Sequence, residues 1–145
     1  MRASMQTFLA EAGEACCYAI AIADIAEEIT GKSFDIVKTF IDAVEKGFIY
    51  YNWKDPSDAN NFFVSKPSEY LSWLTGQKWV IEKDAANYVP RQGEFIINRW
   101  EYSVVKTGTT ITYGHFRRPN KDSLFFSNCV SKGTVVSTRV CRRAA

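Results

Sequence analysis

At 145 residues the chain has the length of one domain. A domain of that size buries roughly 70% of the surface its unfolded chain exposes, so its stability requires no disulfide framework or structural metal. Hydrophobic residues make up 46% and charged residues 23%, a composition that excludes a disordered chain. The 18 Lys and Arg against 16 Asp and Glu leave a net charge of +2, too little for affinity built on phosphate neutralisation, so nucleic acid is not an expected partner.

The helical segments come first. From residue 15 to about 30 the apolar positions Tyr18, Ile22, Ile25, Ala26 and Ile29 keep the three-and-four spacing of a helix, and Gly31 offers a C-terminal cap. Residues 15–23 are apolar on all sides, which predicts a central helix buried at its start. The same run imitates a signal-peptide core. Glu11 and Glu14, however, stand where a signal peptide carries positive charge, and Asp24, Glu27 and Glu28 continue a helix, so export by this route is not expected. No apolar run reaches the ~18 residues of a membrane span, and no membrane partner is expected.

Ser33 is the predicted cap of a second helix with Ile36, Val37, Phe40, Ile41 and Val44 as its stripe, ending near Gly47. After a loop around residues 54–58, Pro67 opens a short third helix with Tyr70, Leu71 and Leu74 as contacts and Gly76 as its end. From Lys78 onward β-branched and aromatic residues predict strands over 79–81, 94–97, 110–113, 123–126 and 134–140, with turns at Pro119-Asn120 and Lys132-Gly133. Helices followed by strands give an α+β class: N-terminal helices, one of them central and buried, packed on a C-terminal antiparallel sheet. No repeat or linker divides residues 1–145, so a single domain is expected.

Cysteines at 16, 17, 129 and 141 lack the spacing of a zinc site, and neither metal nor cofactor is expected. The adjacent Cys16 and Cys17 suit a disulfide framework poorly, so reduced thiols in a cytoplasmic setting are the simpler reading, with a Cys129–Cys141 bridge left open. Cys17 falls near the first turn of the central helix, where free N–H groups and the helix dipole favour a thiolate. His115 is the chain's one histidine and alone can supply an imidazole to it. The competing reading makes Cys16 and Cys17 small apolar fillers and His115 a hydrogen-bonding core residue.

The segment Glu11-Ala-Gly-Glu-Ala-Cys-Cys-Tyr-Ala19 resembles the opening of the papain-like cysteine peptidases, in which a cysteine followed by an aromatic residue and Ala begins the central helix. Of the signature C-G-[SA]-C-[WY] only Cys17-Tyr18 is present. The stretches Gly114-His-Phe-Arg117, Leu124-Phe-Phe-Ser-Asn128 and Gly133-Thr-Val-Val-Ser-Thr-Arg-Val140 are similar to short papain-like chains of bacteria and phages. The resemblance implies a papain-like fold and a thiol hydrolase, peptidase or amidase-like, acting on a peptide or protein substrate. Cys17 would attack, His115 would serve as base and then acid, and Asn128 would orient the imidazole. Asn128 also reads as an ordinary turn residue, and Asn120 and Asp122 are second choices. Cys16 is the alternative nucleophile if the helix begins one residue earlier.

The family's oxyanion glutamine is replaced here by Glu11, which cannot donate when ionised. The Cys17 N–H and Gln6 are the remaining donors, and loss of one donor costs about 10²- to 10³-fold in rate. A non-catalytic papain-like domain that binds a peptide or protein in the same cleft is therefore the alternative. Arg117, Arg118, Lys121, Arg139, Arg142 and Arg143 form either a basic rim for acidic substrate or a solvated strand edge. Trp53, Trp73, Trp79 and Trp100 are expected in the core and cleft walls.

Overall fold

The computed structural model describes residues 16–119 and 133–144. Among these residues there are three helices, a four-stranded antiparallel sheet and a short two-stranded ribbon. The expected strand over 123–126 and Gln6, Glu11, Asn120, Asp122, Asn128 and Cys129 lie outside the described residues.

The first helix, α1 (Cys17–Thr30), buries Cys17, Ala19, Ala21, Ile22, Ala23, Ile25 and Ala26. Four of those seven are alanines, whose small side chains let neighbouring elements approach the helix on several sides. It ends as expected at Gly31, which adopts φ 70° and donates its N–H to the Glu27 carbonyl at 2.8 Å, a left-handed cap that a Cβ would strain.

The second helix, α2 (Ile36–Glu45), is capped by Asp35 rather than Ser33: the carboxylate accepts the Val37 and Lys38 N–H groups, each at 3.1 Å. A carboxylate satisfies these N–H groups and also complements the positive end of the helix dipole. Thr39, Phe40 and Ala43 turn inward, whereas Val37 and Ile41 of the expected stripe are exposed. The ribbon β1 (Ile49–Tyr50) and β2 (Phe63–Val64), absent from the sequence expectation, pairs Ile49 with Val64 and Tyr50 with Phe63. The third helix, α3 (Pro67–Thr75), runs from its proline to a left-handed Gly76 and buries Tyr70, Leu71 and Leu74.

The sheet comprises β3 (Trp79–Asp84), β4 (Phe95–Lys106), β5 (Thr109–Arg117) and β6 (Thr134–Arg143), ordered β3-β6-β4-β5. The last strand thus inserts between β3 and β4, and among the described residues β3 and β5 are the outer strands. In the register, Ile81 faces Cys141, Cys141 faces Phe95, and Arg139 faces Ile97, so these residues share one face of the sheet. On that face Trp79, Ile81, Phe95, Ile97 and Cys141 pack into one core with Ile22 and Ile25 of α1 and Tyr70 and Leu71 of α3. At the end of β5, Arg118 clamps the strand to α1 through Asp24 at 2.7 Å and Glu28 at 2.6 Å.

Candidate functional site

The start of α1 meets the outer edge of β5. There the Phe116 N–H donates to Cys17 Sγ at 3.4 Å, and the Tyr18 ring stacks on the Phe116 ring with centroids 4.1 Å apart. These contacts close one end of a groove of about 490 Å³, a size at which ligand pockets are found. One wall is the 59–65 segment. The floor is the inward face of the sheet, with Ile81, Lys83, Arg139, Arg99, Gly114 and Phe116.

Two features of the lining depart from ordinary packing. Phe62 holds φ 68°, a left-handed conformation that costs a side-chain-bearing residue about 1–2 kcal/mol. It is kept there by its N–H bond to the Tyr50 carbonyl at 2.7 Å and by its buried ring, packed against Phe40 and Tyr51. The second feature is Gly114. A Cβ there would collide with the Arg99 guanidinium, which occupies the space the glycine leaves open. From that position Arg99 lies 4.9 Å from the Phe116 ring and Arg139 lies 5.4 Å from it, two cations held against one aromatic face system.

The expected nucleophile and base are brought to the same strand but not to each other. The pairing of β4 and β5 is regular from Asn98–Arg117 to Lys106–Thr109, so side chains along β5 alternate strictly. Gly114 and Phe116 belong to the groove; His115 leaves the strand on the opposite face, cross-strand from Trp100. No hydrogen bond joins Cys17 Sγ to the His115 imidazole, and His115 Nε2 is buried without a hydrogen-bond partner.

The electrostatics of the two groups agree with that separation. Burial pushes the Cys17 thiol up; the Phe116 and Tyr18 N–H groups and Arg99 oppose the shift without reversing it, so the sulfur is protonated near neutral pH. Burial also lowers the His115 pKa, aided by Arg117 and Arg99, and leaves a neutral imidazole. Cys16 packs in the core rather than the groove, and burial, then Cys17, drives its thiol higher still. Cys141 is a free, fully buried thiol, pushed by burial to about 12.

His115 carries a stability consequence. An unfolded histidine titrates near ~6.5, and the folded value lies below it. As pH falls through that window the unfolded chain takes up a proton that the folded chain refuses, so stability drops; above the unfolded value the residue contributes no pH dependence. Urea unfolding should therefore show the wild type losing more stability than His115→Gln between neutral and mildly acidic pH. Equal losses in the two proteins would contradict the buried neutral imidazole.

Of the basic residues expected as a rim, Lys121 lies outside the described residues, and three of the others are placed by specific contacts. Arg118 is paired with Asp24 and Glu28, and Arg142 with Glu94 at 2.6 Å and Glu82 at 3.0 Å, so both are structural. Arg139 lines the groove, joined there by Lys83 and Arg99, which the sequence reading missed. A signal for them existed. The inward positions of β3 run Trp79, Ile81, Lys83 and those of β4 run Phe95, Ile97, Arg99, each an apolar alternation that turns basic at its third step. Of the tryptophans, Trp79 is in the core, but Trp53 is exposed beside Tyr51.

No group of His, Cys, Asp or Glu side chains among the described residues could hold a metal ion, and none of their helices is long and apolar enough to cross a membrane. In comparisons with known proteins, no family model, curated protein or solved structure matches the chain.

Proposed function

We propose that the domain is a binding module which takes a peptide segment of a partner protein into the groove between the start of α1 and the sheet. The observation that carries this reading is a ligand-sized groove walled by a strained loop, beside a thiol whose pKa burial raises, with the imidazole on the other face of β5. Binding needs only the surface. Tyr18, Phe63, Val64, Ile81 and Phe116 offer apolar contact, and the cations fix orientation at defined points along it.

Panning a random heptapeptide library on the protein tests the reading. Selected peptides should shift the amide resonances of Tyr18, Val64, Gly114 and Phe116. Their binding should be lost in Ala59→Trp, an exposed rim position where a large ring fills the mouth without touching the core. Peptides that move other surfaces, or a library that yields none, would remove the proposal.

A papain-like thiol hydrolase with Cys17, His115 and Asn128 is the second reading. One observation favours it: Cys17 sits at the first turn of α1 with backbone N–H groups of Tyr18 and Phe116 directed at its sulfur, the placement that stabilises developing negative charge. That chemistry requires the imidazole to come round the edge of β5 and the thiol to lose its proton.

A further inference from the structure

We propose that the groove selects an acidic segment, seating an Asp or Glu carboxylate of the partner between Lys83, Arg139 and Arg99 while a neighbouring apolar side chain packs on Tyr18 and Phe116. This inference rests on the binding reading and specifies its ligand.

The first support is segregation of charge. The chain as a whole is nearly balanced, 18 cations against 16 acids, yet the described groove lining contains three cations and no carboxylate. The second is register. Lys83 and Arg139 are direct cross-strand partners on the same face, and like charges so placed repel. Nothing in the packing forces this pair, since an apolar residue at either position would continue the face begun by Ile81 and Cys141. An anion seated between them turns the repulsion into two attractions.

The third support is the contrast with the arginines that have a structural task. Arg118 and Arg142 each hold two carboxylates at 3.0 Å or less. Arg139 instead donates to the Ser137 hydroxyl at 2.9 Å and reaches the Tyr18 hydroxyl, both neutral, and among the described residues Arg99 pairs with Glu101 only at 3.8 Å. Both guanidinium groups are already oriented by the Phe116 ring, and Arg99 is seated over Gly114, so little side-chain freedom remains to be lost on binding. A planar fork held in this way suits a carboxylate, which accepts two parallel N–H bonds. The apolar body of the groove, with Tyr18, Val64, Ile81 and Phe116, fits the remainder of a peptide better than a free phosphate or a phosphate backbone.

Fluorescence anisotropy with three labelled heptapeptides tests the inference: one apolar frame carrying Glu, Gln or Lys at alternate positions, with a short thymidine oligonucleotide beside them. The Glu peptide should bind at least about tenfold more tightly than the Gln peptide, lose that advantage in the Lys83→Gln/Arg139→Gln variant, and weaken as salt rises. The Gln peptide should lose far less affinity in that variant than the Glu peptide does. Equal affinity for the Glu and Gln peptides would overturn the acidic preference and leave the groove as a binding site. Failure of all three peptides would remove the binding reading together with the preference. Tighter binding of the oligonucleotide than of the Glu peptide would assign the cations to nucleic acid and overturn the proposal.

Discussion

Iodoacetamide should modify Cys17 of the folded protein at least about a hundredfold more slowly near neutral pH than it modifies the same residue in the urea-unfolded chain, because the thiolate is the reactive species and this thiol is both buried and raised in pKa. Two factors multiply. Only 7% of the residue is exposed, so the reagent reaches the sulfur through opening of the groove wall or the helix start. The sulfur that it meets is protonated, since desolvation outweighs the N–H groups and Arg99 that favour the anion. Peptide mapping by mass spectrometry isolates Cys17 from the other thiols. His115→Ala should leave the rate unchanged, because the imidazole lies behind the strand. A rapid rate abolished by His115→Ala would instead establish a thiolate–imidazolium pair and with it the hydrolase reading.

Leu71→Ala should destabilise the fold by about 3 kcal/mol, a large part of the ~5–15 kcal/mol that holds such domains together. Leu71 is fully buried in α3, in the core where that helix meets α1 and the inward face of β3. The core it belongs to also holds Tyr70, Ile22 and Trp79 and is closely packed, so the vacated space will collapse only in part. Urea unfolding gives the magnitude directly. Val89→Ala, at a position 78% exposed, is the control and should fall within about 0.5 kcal/mol of the wild type. A Leu71→Ala loss no greater than that of the control would contradict the assignment of α3 to the core.

Much of the helical half was legible because its signals are local. Gly31 and Gly76 both end helices in the left-handed conformation, and Pro67 opens one, each for reasons contained within a few residues. The cap of α2 is Asp35 rather than the expected Ser33, a difference that depends on where the first turn settles. The ribbon of β1 and β2 was invisible, since two residues per strand carry no period. The α+β class followed from the order of elements, but insertion of β6 between β3 and β4 did not, because sheet order is decided by long-range packing.

The candidate site shows the same division. Alternation along β5 puts Gly114 and Phe116 on one face and His115 on the other, although the strand expected from the sequence ends at Tyr113. Which face turns toward α1 depended on the Tyr18–Phe116 stack and on Arg99 filling the space above Gly114, contacts between residues far apart in the chain. The placement of Cys17 beside the His115 strand was anticipated; the partner it meets there is the Phe116 backbone, not the imidazole.

The most direct measurement is a set of nuclear Overhauser contacts from the His115 ring in the folded, isotope-labelled protein. Contacts to the Trp100 indole, with Tyr18 ring protons instead contacting Phe116, are the expected result. Contacts from the His115 ring to the Cys17 β-protons or to Tyr18 would place the imidazole in the groove and contradict the separation on which the binding reading stands.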